Sequence, residues 1–250
     1  MRAISRLAAA LCVAAIANAA CAADITVSAA ASLTNAFKEA AAAFEKDHPH
    51  DKVLLNFGAS DALVQQVAKG APVDVLASAD QEAMDKADSQ KLLQAGSRKN
   101  FASNSVVLVV PLASTLNLTG LNDLTRAPVT RVTLGNPASV PIGRYAKQAL
   151  ERAKLWAVVE PKAIYATSVR QSLDYVARGE VDAGFVYATD VAAQKDKVRV
   201  IATVPTDAPV LYPVAVVASG PQAALGQQFV SFLLAPAGRA ILSKYGFGRP

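Results

Sequence analysis

Strand-like and helix-like signals alternate along this chain from Ile25 to its end, and that alternation restricts the fold more than any other feature of the sequence. Aliphatic and β-branched runs at 24–27, 53–57 and 73–77 predict strands. Between them, Leu33, Ala36, Phe37, Ala40 and Phe44 recur at helical spacing and must stop before Pro49. A second helix is predicted over 61–69, with Leu63, Val64 and Val67 on one face and Gly70 as its stop. Asp80 caps a third, running towards Leu93. A buried type of strand at 105–110, closed by Pro111, opens a second run. This run has strands at 132–134, 163–165 and 183–187, with helices at 143–153 and 169–178. Strands at 198–203 and 211–217 and helices at 223–234 and 237–245 complete the chain. Parallel strands need crossover helices, so the alternation predicts α/β with mostly parallel sheets. Two runs split by one buried strand predict two α/β lobes with a ligand cleft between them. In residue numbers, the first lobe takes 23–104 and 211–250 and the second takes 105–210.

Residues 1–22 read as a secretory leader. Arg2 and Arg6 precede an apolar stretch at 7–16, and Ala20-Cys21-Ala22 satisfies the small-residue cleavage rule. A lipoprotein cut before Cys21 is the alternative, although Asn18 stands where an aliphatic residue is wanted. Both cysteines, Cys12 and Cys21, fall in this segment. A chain that has lost it has no disulfide and no cysteine nucleophile. The formal charge of +5 is dispersed, without the basic tract of a nucleic-acid binder. At 52% hydrophobic and 18% charged the chain is not disordered, and its longest apolar stretch is too short to span a membrane.

Catalytic signatures are missing. The sequence has no G-x-G-x-x-G, P-loop, G-x-S-x-G or H-E-x-x-H pattern. His48 and His50, the only histidines, flank Pro49 in a turn and read as solvated loop residues. Asn117-Leu118-Thr119 matches a glycosylation sequon by chance. Four strand-to-helix junctions are more informative: 28–35 with Ser32, 57–61 with Ser60, 140–145, and 167–170. A helix start carries N–H groups without partners and the positive end of the dipole. Several aimed at one point would hold an anion without a charged side chain. Ordinary N-capping by serine is the better explanation of any single junction; four junctions together are more suggestive, but spacing alone does not show that they converge.

Several blocks together carry a resemblance. The run 25–36 (Ile-Thr-Val-Ser-Ala-Ala-Ala-Ser-Leu-Thr-Asn-Ala) resembles the opening of the ModA family, the periplasmic molybdate-binding proteins of ABC importers. So do 70–81, 104–111, 140–147, 184–187, 212–217 and 244–247, in order along nearly all of the chain after the leader. The resemblance implies a type II periplasmic binding protein, with two α/β lobes joined by a two-strand hinge and the ligand in the cleft. It implies an exported, non-enzymatic, monomeric protein of the periplasm, without a cofactor, that hands molybdate or tungstate to an inner-membrane ABC permease. Molybdenum would enter only as the oxyanion. The implied site is Ser32 and Ser60 from the first lobe, with backbone N–H groups of Ile142 and Val169 and the Tyr187 hydroxyl from the second. Ile142 is bulkier than the small residue usual there. Asp61 is also a departure, and repulsion from a dianion predicts that it points outward or caps its helix. Sulfate, differing mainly in size, is the alternative ligand. A secreted hydrolase using the same cleft is disfavoured by the scarcity of His and Cys, and a DNA-binding regulator by the leader.

Overall fold

The computed structural model describes residues 23–250; the leader and both cysteines lie outside the described residues. The chain begins with β1 (Asp24–Ala30), α1 (Thr34–Asp47), β2 (Lys52–Gly58), α2 (Ser60–Ala68), β3 (Val75–Ala77), α3 (Gln81–Ser89) and β4 (Lys99–Asn104). It crosses at Ser105 into β5 (Val106–Pro111). Then follow β6 (Val132–Gly135), α4 (Pro141–Arg152), α5 (Trp156–Val159), β7 (Ala163–Ala166), α6 (Val169–Ala177), β8 (Ala183–Tyr187), α7 (Ala188–Val191) and β9 (Val198–Val204). The return is β10 (Val210–Val216), followed by α8 (Ala223–Leu234) and α9 (Pro236–Lys244).

Two five-stranded sheets result, ordered β2-β1-β3-β10-β4 and β7-β6-β8-β5-β9. In each, three strands are parallel and the fourth runs against them. The sheets are therefore mixed, and less parallel than the alternation alone predicts. The reversed strand is in each case the one that has just arrived from the other lobe: β10 in the first sheet, β5 in the second. It needs no crossover helix within its own sheet, because the chain enters it directly from the other lobe. β4 is absent from the predicted elements. Its sequence, Lys-Asn-Phe-Ala-Ser-Asn, has little apolar content, and it becomes a strand by pairing with the distant β10.

Local chemistry sets the helix ends. The Asp80 carboxylate accepts from the Ala83 N–H at 3.1 Å and starts α3. Beyond α2 and α6, Gly70 and Gly179 adopt φ of +88° and +68°, which an L side chain resists. The apolar face of α1 packs its phenylalanines against α8, with the Phe44 and Phe229 rings 5.3 Å apart edge to face. His48 stacks on Phe44 at the end of α1. Among the described residues, no helix is long and apolar enough to cross a membrane.

Strand register decides what meets in the cleft. Ala30 lies opposite Gly58, which brings the turns carrying Ser32 and Ser60 side by side. Gly135 lies opposite Ala166, which does the same for the starts of α4 and α6. Tyr187 pairs with Val106, the first residue after the crossing.

Candidate functional site

The carboxyl ends of both parallel strand sets face one small cavity, where α/β proteins place ligands. Its wall contains Ser32, Ser60, Ile142, Val169 and Tyr187, so the structure brings all five expected positions to one point. The rest of the wall is Ala, Gly, Val and Pro, and among the described residues it includes no charged or amide side chain. The lobes are closed over it: Ser32, Ser60 and Tyr187 are each at most 2% exposed.

The first lobe offers hydroxyls. Neither Ser32 nor Ser60 caps a helix with its side chain. The Ser60 Oγ instead accepts from the Ala79 N–H at 3.0 Å, leaving its own hydrogen to donate. The Ser32 Oγ lies 2.9 Å from the Tyr212 hydroxyl. At the fourth junction, by contrast, Ser168 is an ordinary cap, accepting from the Gln171 N–H at 3.2 Å.

The second lobe offers bare N–H groups. Helix α4 begins at Pro141, two residues before the sequence reading, so Ile142 stands in its first turn. Proline has no N–H, and Ile142 is therefore the first donor of α4. Gly143 makes the approach possible: a Cβ there would lie 1.9 Å from the Gly135 carbonyl oxygen. Val169 is the first residue of α6. Tyr187 closes the ring. Its hydroxyl is buried without a protein partner. Burial pushes both the Tyr187 and Tyr212 hydroxyls well above the ordinary phenol range, so both stay protonated. Behind Tyr187, Asp190 is fully buried and accepts weakly from the Tyr187 N–H at 3.3 Å. Arg170 lies 2.7 Å from its other oxygen, out of hydrogen-bond alignment. Desolvation raises the Asp190 carboxyl to about 6 despite that cation.

Charges gather just outside the cavity. Arg144, on α4, reaches across the cleft to Asp61 at 2.7 Å and Asp80 at 2.6 Å, both on the first lobe. The other oxygen of Asp61 meets Lys86 at 2.7 Å. Asp61 therefore neither points outward nor caps α2; it is buried, as the sequence reading did not foresee. Two cations neutralise it and remove the repulsion that reading relied on. Arg144, Tyr212 and Asn104 carry no local signal of a role, because their partners lie tens of residues away in sequence. Among the described residues no cluster of metal-ligating side chains occurs.

The comparisons fit this geometry. The family model for bacterial extracellular solute-binding proteins matches residues 25–248. The molybdate-binding protein ModA of Escherichia coli is 39% identical, over 89% of this chain and 88% of that protein. A putative ABC transporter substrate-binding lipoprotein of Bacillus subtilis is 35% identical, over 89% of this chain and 85% of that protein. The solved periplasmic molybdate-binding protein of Azotobacter vinelandii superposes with a TM-score of 0.78 at 25% identity, covering 90% of this chain and 99% of that one. With matched relatives over nearly its whole described length and the two-lobed fold to go with them, this chain belongs to the bacterial extracellular solute-binding proteins and, within them, to the ModA family.

Proposed function

We propose that this protein captures molybdate, and tungstate, in the periplasm and delivers it to an ABC permease as a monomer, without a cofactor and without chemical turnover. The observation that carries this reading is the composition of the cavity wall: hydroxyl-bearing side chains, helix-start N–H groups, small apolar surfaces and, among the described residues, no carboxylate or amide side chain. Ser32 and Ser60 donate their hydroxyl hydrogens, Ile142 and Val169 their backbone N–H groups, and Tyr187 its hydroxyl. Each hydrogen bond to a charged group contributes roughly 1.5–3 kcal/mol net, so a handful offsets the desolvation of a dianion. Selectivity follows from what the wall lacks. Molybdate is fully deprotonated at neutral pH and only accepts. Hydrogen phosphate carries an O–H that only a hydroxyl oxygen of the wall could accept, and a hydroxyl that accepts it no longer donates to the anion. The relatives named for molybdate binding support the ligand, and the all-donor wall supports the mechanism.

Titration calorimetry against molybdate, tungstate, sulfate and phosphate tests the reading. Molybdate and tungstate should bind tightly, and phosphate should give no heat. Tight phosphate binding would overturn the all-donor mechanism, and a preference for sulfate would move the ligand assignment to the smaller dianion.

A further inference from the structure

Resting on that oxyanion reading, we infer that Tyr212 and Asn104 form a positioning relay that holds the Ser32 hydroxyl in its donor orientation, and so sets selectivity against protonated oxyanions.

The direction of every bond in the relay follows from its ends. The Ser105 backbone N–H can only donate, and it lies 2.9 Å from the Asn104 Oδ1. That contact fixes which end of the Asn104 amide is oxygen. The Nδ2 group must then face the other way, and it has two hydrogens to give. One goes to the Thr189 hydroxyl at 2.8 Å, the other to the Tyr212 hydroxyl at 3.3 Å. Tyr212, having accepted, directs its single hydrogen to its other neighbour, the Ser32 Oγ at 2.9 Å. Ser32 has then accepted in turn, and its own hydrogen is left for the cavity. Tyr212 is completely buried, so no water competes for the phenol.

Ser60 reaches the same state by a shorter route, because a backbone N–H can never reverse. A serine accepts or donates with equal ease. An unwired Ser32 would rotate and accept the O–H of a protonated anion, adding a first-lobe acceptor to the one the unpartnered Tyr187 hydroxyl offers, and discrimination would fall. Tyr212 touches no ligand in this scheme. Its position on β10 and that of Asn104 at the end of β4, beside the crossing at Ser105, place the relay on the strands that join the lobes.

The test compares two dianions of equal charge near pH 8, molybdate and hydrogen arsenate, on the purified protein and its Tyr212→Phe, Asn104→Asp, Ser32→Ala and Ser32→Ala/Tyr212→Phe forms. Tyr212→Phe keeps the ring and removes the donor. It should weaken molybdate about 10-fold, the loss of one oriented charge-assisted bond, while hydrogen arsenate binding holds or improves. Asn104→Asp keeps the bond from Ser105 and replaces the donor facing Tyr212 by an acceptor, so the phenol turns away from Ser32. The added charge weakens both dianions alike, and the molybdate-to-arsenate ratio should still fall. On the Ser32→Ala background, Tyr212→Phe should leave molybdate affinity unchanged, since the coupled term is already gone. A merely structural Tyr212 would weaken both anions together and would add to Ser32→Ala; either result overturns the relay. An unchanged ratio in Tyr212→Phe or in Asn104→Asp overturns it as well. An unmodified protein that binds hydrogen arsenate as tightly as molybdate overturns the donor-only reading itself, and that outcome appears before any variant is made.

Discussion

The two lobes share a sheet topology but solve the same electrostatic problem differently. In the first, the proposed donors are serine hydroxyls already engaged on the protein side, Ser60 accepting from the Ala79 N–H and Ser32 bonded to the Tyr212 hydroxyl. In the second, the donors are the first N–H of α4 and of α6 and a tyrosine hydroxyl with no protein partner at all. The first half-site is thus wired in place whether or not a ligand is present. The second leaves the buried Tyr187 hydroxyl without a protein partner and open to whatever occupies the cavity. An unpaired buried polar group costs about 1–3 kcal/mol, so the closed state favours occupancy.

Arg144 is where the comparison breaks most severely. It is the second lobe's charged contact with the first, and it holds two buried carboxylates. Replacing it by Met leaves Asp80 without its cation and Asp61 with Lys86 alone. Breaking a buried pair costs about 3–5 kcal/mol, here paid by the closed state, because opening the cleft rehydrates both carboxylates. Molybdate affinity should fall accordingly, and small-angle scattering should show a more open unliganded form. Wild-type affinity in Arg144→Met would remove the ion cluster from closure.

The second lobe's support should also respond to pH, in the same direction as the first lobe's Asp80, whose carboxyl burial raises as well. Asp190 has its carboxyl raised from 3.8 to about 6 by burial. Between those values the folded protein binds more protons than the unfolded chain, so this group's contribution to stability falls as pH rises from about 4 to about 6. A shift of that size corresponds to about 3 kcal/mol. Compared with Asp190→Asn, the unmodified protein should therefore gain stability on acidification from pH 7 to pH 4 in denaturant melts. A difference between the two that does not change with pH would show that Arg170 fully compensates the carboxylate.

Ser60→Ala and Tyr187→Phe put the wired and the unwired donor side by side. Each removes one bond to the anion, roughly 1.5–3 kcal/mol of affinity. Their effects on the empty protein should differ. Ser60→Ala also strips the Ala79 N–H of its acceptor and should lower the unliganded melting temperature. Tyr187→Phe removes a hydroxyl that bonds nothing and should leave that temperature unchanged or raise it, with the lost affinity appearing as faster release. Equal loss of unliganded stability in both would contradict the contrast drawn between the half-sites.

Much of this site was legible because local rules place it. Strand-to-helix junctions are written in short stretches, and the Ala-Ala-Ala-Ser-Leu-Thr and Val-Pro-Ile-Gly-Arg-Tyr blocks point to Ser32 and Ile142 through family resemblance. What stayed hidden is non-local. β4 carries Lys99 and Asn100 exposed beside Phe101 and Ala102 buried, a pattern too short to announce a strand without β10. Arg144 sits among other charges on an amphipathic helix, and nothing nearby names Asp61 and Asp80 as its partners. Asp61 was misread for the same reason: repulsion from an anion could be foreseen, whereas two neutralising cations could not. Tyr212 stands in the apolar strand Val-Leu-Tyr-Pro-Val-Ala-Val, where an aromatic residue reads as core, and it is core, apart from one oxygen.

Val169→Ala is the smallest effect and tests the sharpest part of the contrast. The first lobe donates through side chains, so alanine deletes a donor there. The second donates through the backbone at Val169, and alanine keeps the same N–H at the same first position of α6. The Val169 side chain is buried, so the loss of two methyl groups should cost about 1.5 kcal/mol of folding stability. Affinity should change by no more than about twofold, a few tenths of a kcal/mol. Stability and affinity thus separate in this variant, whereas in Ser60→Ala they fall together. The check is a paired measurement, unliganded melting temperature and molybdate titration, on the same preparation. If Val169→Ala loses as much affinity as Ser60→Ala, the anion is reading the shape of the wall at α6, and Val169 does not act through its backbone N–H alone.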